Sequence, residues 1–155
     1  MKRNLKFIPL VLALAVVAFA FTYTTAPSNK ELAIGDAAPN LHQKLKDLSG
    51  KDMMLREFMK ENGMLVVFSC NTCPFVIAWE DRYNDLYDLC EANNVGMVLI
   101  NSNAARRSGD DSFENMKVRA AQKGFKFPYL FDETQEVARR FKAERTPHAF
   151  VLQKV

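Results

Sequence analysis

The sequence predicts an α/β fold in which helices flank a largely parallel sheet. Two short apolar runs, 64–68 and 95–100, consist mostly of Met, Leu, Val and Ile and are too short for good helices. Such runs are typical of strands buried on both faces. Stretches with apolar residues three and four apart separate the strands. Strands that alternate with helices in this way indicate βα units and a mainly parallel sheet.

Residues 1–26 are predicted to be a signal peptide or an N-terminal membrane anchor with the start of a linker, and residues 27–155 the folded domain. Three basic residues precede an apolar run from Phe7 to Phe21, and Ala18-Phe19-Ala20 has the form of a cleavage site. The run is shorter than the roughly 20 residues of a usual span, which favours cleavage. Either outcome predicts a periplasmic or otherwise extracytoplasmic domain, with membrane contact only through an uncleaved anchor.

The charge of the predicted domain argues against nucleic-acid binding. The chain has 21 basic and 18 acidic side chains, and residues 1–20 hold three basic residues and no acidic ones. The remainder is therefore formally neutral and lacks the excess of positive charge that binds phosphates.

The first part of the predicted domain leads to a central strand. After the linker and a turn at Gly35–Pro39, a hairpin is expected with Gly50 in its turn. A short helix over 55–62 would then end at Gly63, and the strand from Met64 follows.

Two cysteines follow the central strand in the order Cys70-Asn71-Thr72-Cys73-Pro74. Their spacing permits a disulfide, and Pro74 is in a position that the first turn of a helix tolerates. Cys70 would then lie at a helix N-terminus, where the helix dipole favours a thiolate. We expect Cys70 to be the nucleophile and Cys73 the resolving thiol. The same spacing also occurs in half of a zinc site.

A long helix is predicted from Pro74 to about Asn93. A stripe of apolar residues three and four apart should face the core (Val76, Trp79, Tyr83, Leu86 and Cys90). Cys90 would lie roughly 25 Å along this helix from Cys73, which is too far for a disulfide. We therefore interpret Cys90 as a buried structural thiol.

The second half of the chain predicts three more strands and two helices. A strand over 95–100 ends in the polar Asn101-Ser102-Asn103, and Asp111 is expected to cap a helix that ends at Gly124. A short strand over 127–131 precedes a helix from Asp132–Gln135, whose Val137, Ala138 and Phe141 should face inward. Thr146-Pro147-His148 opens the last strand, over 149–152.

This ordered set of motifs resembles the thioredoxin superfamily. It is similar to the redoxin branch, which holds the AhpC/TSA-type proteins and the TlpA/ResA-like extracytoplasmic oxidoreductases. The similarity covers Ile34–Val155 and rests on four segments: Cys70-Asn-Thr-Cys-Pro-Phe-Val, Asn101-Ser-Asn, Asp111-Ser-Phe-Glu-Asn-Met and Phe127-Pro-Tyr-Leu-Phe-Asp. The resemblance implies a thioredoxin-like fold with a mixed central sheet.

The resemblance also implies a site. Cys70 and Cys73 would be the redox pair, with Asn71, Thr72 and Pro74 beside them. Pro147 would be a cis-proline, and the backbone of Thr146 would pair with a substrate chain. Protein thiols or disulfides and an upstream electron donor would be the partners, and we expect neither cofactor nor metal.

The sequence departs from the family pattern in three places. Thioredoxins carry a buried acid where this chain has Met64, and Glu80 is expected on a solvated helix face. A peroxidatic cysteine at position 70 would need Pro and Thr or Ser at 63 and 67, which are Gly63 and Val67, so we expect no peroxidase activity. The chain stops before the last strand and helix of the fold, and we expect the intact chain to be longer.

The sequence therefore leaves three functions open. The leading hypothesis is an extracytoplasmic thiol-disulfide oxidoreductase that reduces protein disulfides through Cys70 and Cys73. A metal module, such as a copper carrier, could use the two cysteines with His42 or His148, although copper-chaperone relatives space their cysteines by three residues. A non-catalytic interaction domain would keep a static disulfide, with its partner groove lined by Phe75 and Trp79.

Overall fold

A six-stranded mixed sheet organises residues 32–154, the part of the chain that the computed structural model describes. Its strands are β1 (Lys44–Lys46), β2 (Asp52–Met54), β3 (Met64–Ser69), β4 (Gly96–Asn101), β5 (Tyr129–Phe131) and β6 (His148–Leu152), in the order β2-β1-β5-β4-β3-β6. The central strands β3, β4 and β5 are parallel, whereas β1, β2 and β6 pair antiparallel. This confirms the predicted mixed sheet.

The predictions for residues 1–26 lie outside the described residues. The described residues, 32–154, belong to one compact unit. Within the described residues, no helix is both long and apolar enough to cross a membrane.

The pairing of β3 brings three distant segments to one edge of the sheet. Its six residues are all buried, and Ser69 at its end pairs with Asn101 at the end of β4. Phe68 pairs with His148, the first residue of the antiparallel β6. The segments that follow β3 and β4 and the segment that precedes β6 therefore meet at the carboxyl end of β3.

The turn before β3 requires a glycine. Gly63 has φ +117°, and a Cβ atom there would lie 2.0 Å from the carbonyl oxygen of Leu152 in β6. Only glycine combines this backbone conformation with so close an approach. The helix predicted over 55–62 is wrong in extent, since the structure has only a 3₁₀ turn at Leu55–Phe58.

Among residues 32–154, four α-helices cover the sheet: α1 (Pro74–Trp79), α2 (Tyr83–Ala92), α3 (Phe113–Lys123) and α4 (Glu136–Phe141). The single helix predicted over 74–93 is wrong, because a 3₁₀ turn at Glu80–Arg82 separates α1 from α2. The tighter turn changes the rotation per residue next to Trp79, the last residue of α1. Val76, Tyr83 and Cys90 face the core as expected, but Trp79 is 55% exposed.

Glu80, expected on a solvated face, is instead buried and ion-paired. Its exposure is 3%, and its carboxylate accepts hydrogen bonds from Arg119 of α3. Lys123 lies 2.9 Å from the same carboxylate. The turn between α1 and α2 is therefore fixed to α3 by charge as well as by packing.

The hydrophobic core contains two clusters of buried side chains. One cluster holds Phe68, Phe141 and the half-buried Phe150, whose rings lie 5.4–5.8 Å apart by centroid. It also includes Val137 and Ala138 of α4, as predicted. The other cluster holds Cys70 together with α1, α2 and α3 residues, so the first cysteine is part of the core.

Candidate redox site

The two cysteines of the motif lie at the carboxyl end of β3 as free thiols. Cys70 directly follows the strand and is only 4% exposed, whereas Cys73 is half-buried. Cys73 is the N-cap of α1, and Pro74 is its first residue, as the sequence predicts. The helix therefore begins at Pro74, as predicted, but the cysteine at its N-terminus is Cys73 and not Cys70.

The segment that carries Thr146 and Pro147 packs against both sulfur atoms. The Thr146–Pro147 bond is cis, which confirms what the resemblance implies. The Sγ atom of Cys70 lies 3.3 Å from the Thr146 hydroxyl, and the Cys73 thiol donates to the Thr146 carbonyl at 3.3 Å. One residue thus contacts both thiols, from a position more than 70 residues away in the sequence.

The two thiols have opposite pKa directions, which corrects the sequence prediction for Cys70. Burial raises the pKa of Cys70, and the neighbouring Asp111 carboxylate adds to this, although the Thr146 hydroxyl acts against it. Burial also acts to raise the pKa of Cys73, but the Thr146 hydroxyl and the first N–H groups of α1 outweigh it, so its pKa is lowered. The helix N-terminus therefore favours the thiolate of Cys73.

Asn71 joins the motif to a buried polar network. Its backbone N–H donates to Asp111 Oδ1 at 2.5 Å, and its side-chain amide donates to the Asp110 carbonyl at 2.7 Å. The hydroxyl of Tyr129 donates to Asn71 Oδ1 at 2.9 Å. A buried, fully bonded side chain of this kind holds the turn between the cysteines in one conformation.

Asp111 is the member of this site that sequence reasoning missed. It was expected to cap α3, but the N-cap is Ser112, whose hydroxyl accepts from the N–H of Asn115. Asp111 is instead fully buried and accepts from Asn101 Nδ2 at 2.9 Å and Asn103 Nδ2 at 2.7 Å. The polar Asn101-Ser102-Asn103 after a buried strand was the available signal, because parallel strands end at one edge of a sheet.

A cavity of about 380 Å³ adjoins the two thiols. Both cysteines, Thr72 and Thr146 line it, together with Asn103 and Arg106 from the segment after β4. The thiols thus face a space that a substrate group can enter.

The two histidines considered as metal ligands and the third cysteine do not form a metal site with the motif. Within residues 32–154, no three His, Cys, Asp or Glu residues are grouped so as to hold a metal ion. The His42 ring hydrogen-bonds to Arg56, and the His148 ring packs on Phe150 with centroids 4.4 Å apart. Cys90 is buried in α2, where burial raises the pKa of its thiol.

The sheet, the helices and the cis-proline beside a C-x-x-C pair define a thioredoxin-like protein. The AhpC/TSA family model matches residues 34–155, and the chain belongs to this family. No match was found among curated proteins.

Solved structures with the same fold extend this comparison. An uncharacterized conserved protein of Geobacillus kaustophilus is 36% identical, with a TM-score of 0.72 over 77% of this chain, which spans 62% of that protein. A secreted disulfide oxidoreductase of Mycobacterium tuberculosis, homologous to E. coli DsbE, is 17% identical (TM-score 0.62, covering 76% of this chain and 80% of that one). The alkyl peroxide-reducing bacterioferritin comigratory protein of Xanthomonas campestris is 16% identical (TM-score 0.56, covering 76% and 72%).

Proposed function

We propose that the protein is an extracytoplasmic thiol-disulfide oxidoreductase that reduces protein disulfides through Cys70 and Cys73. The observation that carries this proposal is the contact of both free thiols with Thr146 of the cis-proline segment, at the edge of a cavity. The resemblance of the fold to disulfide oxidoreductases supports the same reaction.

In the reaction, the two thiols would act in a defined order. Cys73 is more exposed and its pKa is lowered, so its thiolate attacks one sulfur of the substrate disulfide. That S–S bond breaks, a mixed disulfide forms on Cys73, and the departing substrate sulfur takes up a proton. This order is the reverse of the one that the sequence predicts.

The second exchange releases the substrate. The Cys70 sulfur attacks the Cys73 sulfur, which breaks the mixed disulfide and expels the second substrate sulfur, and the proton of the Cys70 thiol passes to that departing thiolate. Two electrons have then passed from the dithiol to the substrate, and a Cys70–Cys73 disulfide remains. An upstream dithiol donor must reduce this disulfide before the next cycle.

Substrate contacts would come from the segment beside the thiols. Thr146 and Pro147 border the sulfurs, and we assign their backbone to the substrate chain. Thr72 and Pro74 flank the attacking sulfur, and Phe75 beside them is 72% exposed. An extended chain with a disulfide could lie across this surface with its sulfur at Cys73.

The direct test is a redox titration of a variant that lacks residues 1–26, combined with reduction of insulin disulfides. We expect a reversible two-electron transition between dithiol and disulfide and turnover of insulin with a small-molecule dithiol as donor. C70S and C73S should both abolish turnover, whereas C90S should retain it because Cys90 lies in the core of α2. A pair that stays locked at every glutathione ratio would refute the proposal.

The measured potential would assign the direction of the reaction. A value near about −270 mV is typical of a reductant, and one near about −120 mV of an oxidant. Stoichiometric copper or zinc that copurifies with the protein and blocks both thiols would instead favour the metal module. A reversible pair without insulin turnover would favour the interaction domain.

Peroxide reduction is the second candidate, because the bacterioferritin comigratory protein of Xanthomonas campestris, which has the same fold, reduces alkyl peroxides. The sequence does not support it for either thiol. Counted back from Cys73, the positions that need Pro and Thr or Ser hold Val66 and Cys70. We therefore expect no consumption of hydrogen peroxide or an alkyl hydroperoxide above that of C70S and C73S.

A further inference from the structure

The carboxylate of Asp111 is buried next to the motif without a cationic partner among the described residues. It is fully buried, and its hydrogen bonds come from the backbone N–H of Asn71 and the side-chain amides of Asn101 and Asn103. Neutral N–H donors stabilise a carboxylate in its charged form. A negative charge is thus held in the interior, where it is screened far less than at the surface.

This charge lies beside one cysteine of the pair. The shortest hydrogen bond that its carboxylate accepts, at 2.5 Å, comes from the N–H of Asn71, the residue that follows Cys70. The Asp111 carboxylate disfavours a second negative charge on the Cys70 sulfur, which is one of the causes that raise the pKa of that thiol. Both oxygens already accept hydrogen bonds, so we assign no proton transfer to Asp111.

Among the described residues, Arg106 and Arg145 line the cavity beside the thiols, but no cation is among the main groups that shift the pKa of Cys70. Cys73 and the Thr146 hydroxyl face it, and the phenols of Tyr83 and Tyr129 lie close enough to interact with its charge. Burial raises the pKa of both tyrosines, so both remain neutral phenols at physiological pH. Asp111 is therefore the charged carboxylate that acts on Cys70.

We propose that Asp111 is a positioning residue that reinforces the order of the two thiols: its buried charge adds to the effect of burial in keeping Cys70 protonated, and its bond to Asn71 fixes the turn, so that Cys73 ionises first. This inference rests on the proposed function, in which the two thiols act one after the other. It adds a residue outside the motif to the chemistry of the pair.

The test measures the ionisation of Cys70 itself in a C73S background. Because Cys90 is no more buried than Cys70, it is replaced as well (C90S), so that the rate of alkylation by iodoacetamide, followed against pH, reports the thiolate fraction of Cys70 alone. We expect D111N to move the midpoint to lower pH, so that alkylation at a fixed pH below both midpoints becomes faster. A midpoint that does not move, or moves upward, would overturn the inference.

The neighbouring Asp110 provides a matched control. Its side chain pairs with Arg106 at 3.0 Å and is 55% exposed, and its carbonyl bond to Asn71 does not depend on the side chain. D110N also removes one negative charge but from the solvated surface. It should leave the Cys70 midpoint unchanged, and an equal shift in both variants would show a general effect of net charge.

A second measurement keeps the inference testable if D111N does not fold. In folded C73S, the ¹³C signal of the Asp111 carboxyl should show a step at the pH where Cys70 ionises, because the two charges interact. The absence of such a step would overturn the inference. Insulin turnover by the wild-type protein is measured separately. A shifted Cys70 midpoint in D111N without wild-type turnover would refute only the proposed function. Wild-type turnover without a shift in D111N would refute only the role of Asp111.

Discussion

Replacement of Glu80 tests whether a buried ion pair fixes the segment that carries the attacking thiol. The Glu80 side chain is 1% exposed, and those of Arg119 and Lys123 are 24% and 29% exposed. Removal of one partner from a fully buried pair costs about 3–5 kcal/mol. Because both cations regain water in E80Q, we expect a lower cost, about 2–3 kcal/mol in the free energy of unfolding.

The assay is urea unfolding of the reduced protein without residues 1–26. For an m-value of about 1.5–2 kcal/mol/M, the expected cost lowers the urea midpoint by about 1–2 M at unchanged slope. D81N is the matched control, because Asp81 also pairs with Lys123 but its side chain is 78% exposed. We expect D81N to unfold at the wild-type midpoint. Equal midpoints for E80Q and D81N would refute the reasoning that burial gives this pair its effect.

Two further predictions concern the thiols and the core. When each motif thiol is alkylated without the other, the pH midpoint should lie below that of free cysteine in C70S and above it in C73S. C70S should also trap insulin as a mixed disulfide on Cys73. The opposite pattern in both assays would restore Cys70 as the attacking thiol. F68A removes a ring that is 1% exposed and should cost about 3–5 kcal/mol in unfolding free energy, whereas F75A, 72% exposed, should change it little. Similar urea midpoints for F68A and F75A would contradict this.

Local patterns in the sequence predicted the sheet and the cysteine motif because both depend on neighbours in the chain. A few neighbouring residues are enough to predict the strand β3 from its apolar run, and the start of α1 from Pro74 after the two cysteines. The cis bond before Pro147 came from the resemblance, since most bonds of this type are trans. Its place beside the sulfurs then followed from the antiparallel pairing of β6 with β3.

The errors arise where distant contacts override a local pattern. Apolar spacing cannot reveal that Glu80 turns inward, because its partners on α3 are 39 and 43 positions away in the sequence. Asp111 precedes a helix and matches a capping pattern, yet its carboxylate binds Asn71 across 40 residues. The tertiary fold brings each of these polar residues to its partner, and the spacing of apolar residues along the chain carries no information about such contacts.

The order of the thiols that the sequence predicts differs from the proposed order for a related reason. The sequence places Cys70 at the start of a helix, and a helix that began there would favour its thiolate. In the structure the N–H of Asn71 binds Asp111, and α1 begins after Cys73. The N-terminus of the helix thus lies three residues beyond Cys70, and the helix dipole acts on the sulfur of Cys73.

Ionisation of Cys73 has a second consequence at Thr146. The Cys73 thiol donates its proton to the Thr146 carbonyl, the group that we assign to a substrate chain. A thiolate has no proton to donate, so the step that creates the nucleophile also frees this carbonyl to accept a substrate N–H. We therefore expect the KM for a peptide disulfide to fall as pH rises, and the midpoint of this fall should equal the pH midpoint of Cys73 alkylation. A KM independent of pH across that midpoint would show that the substrate does not use this carbonyl.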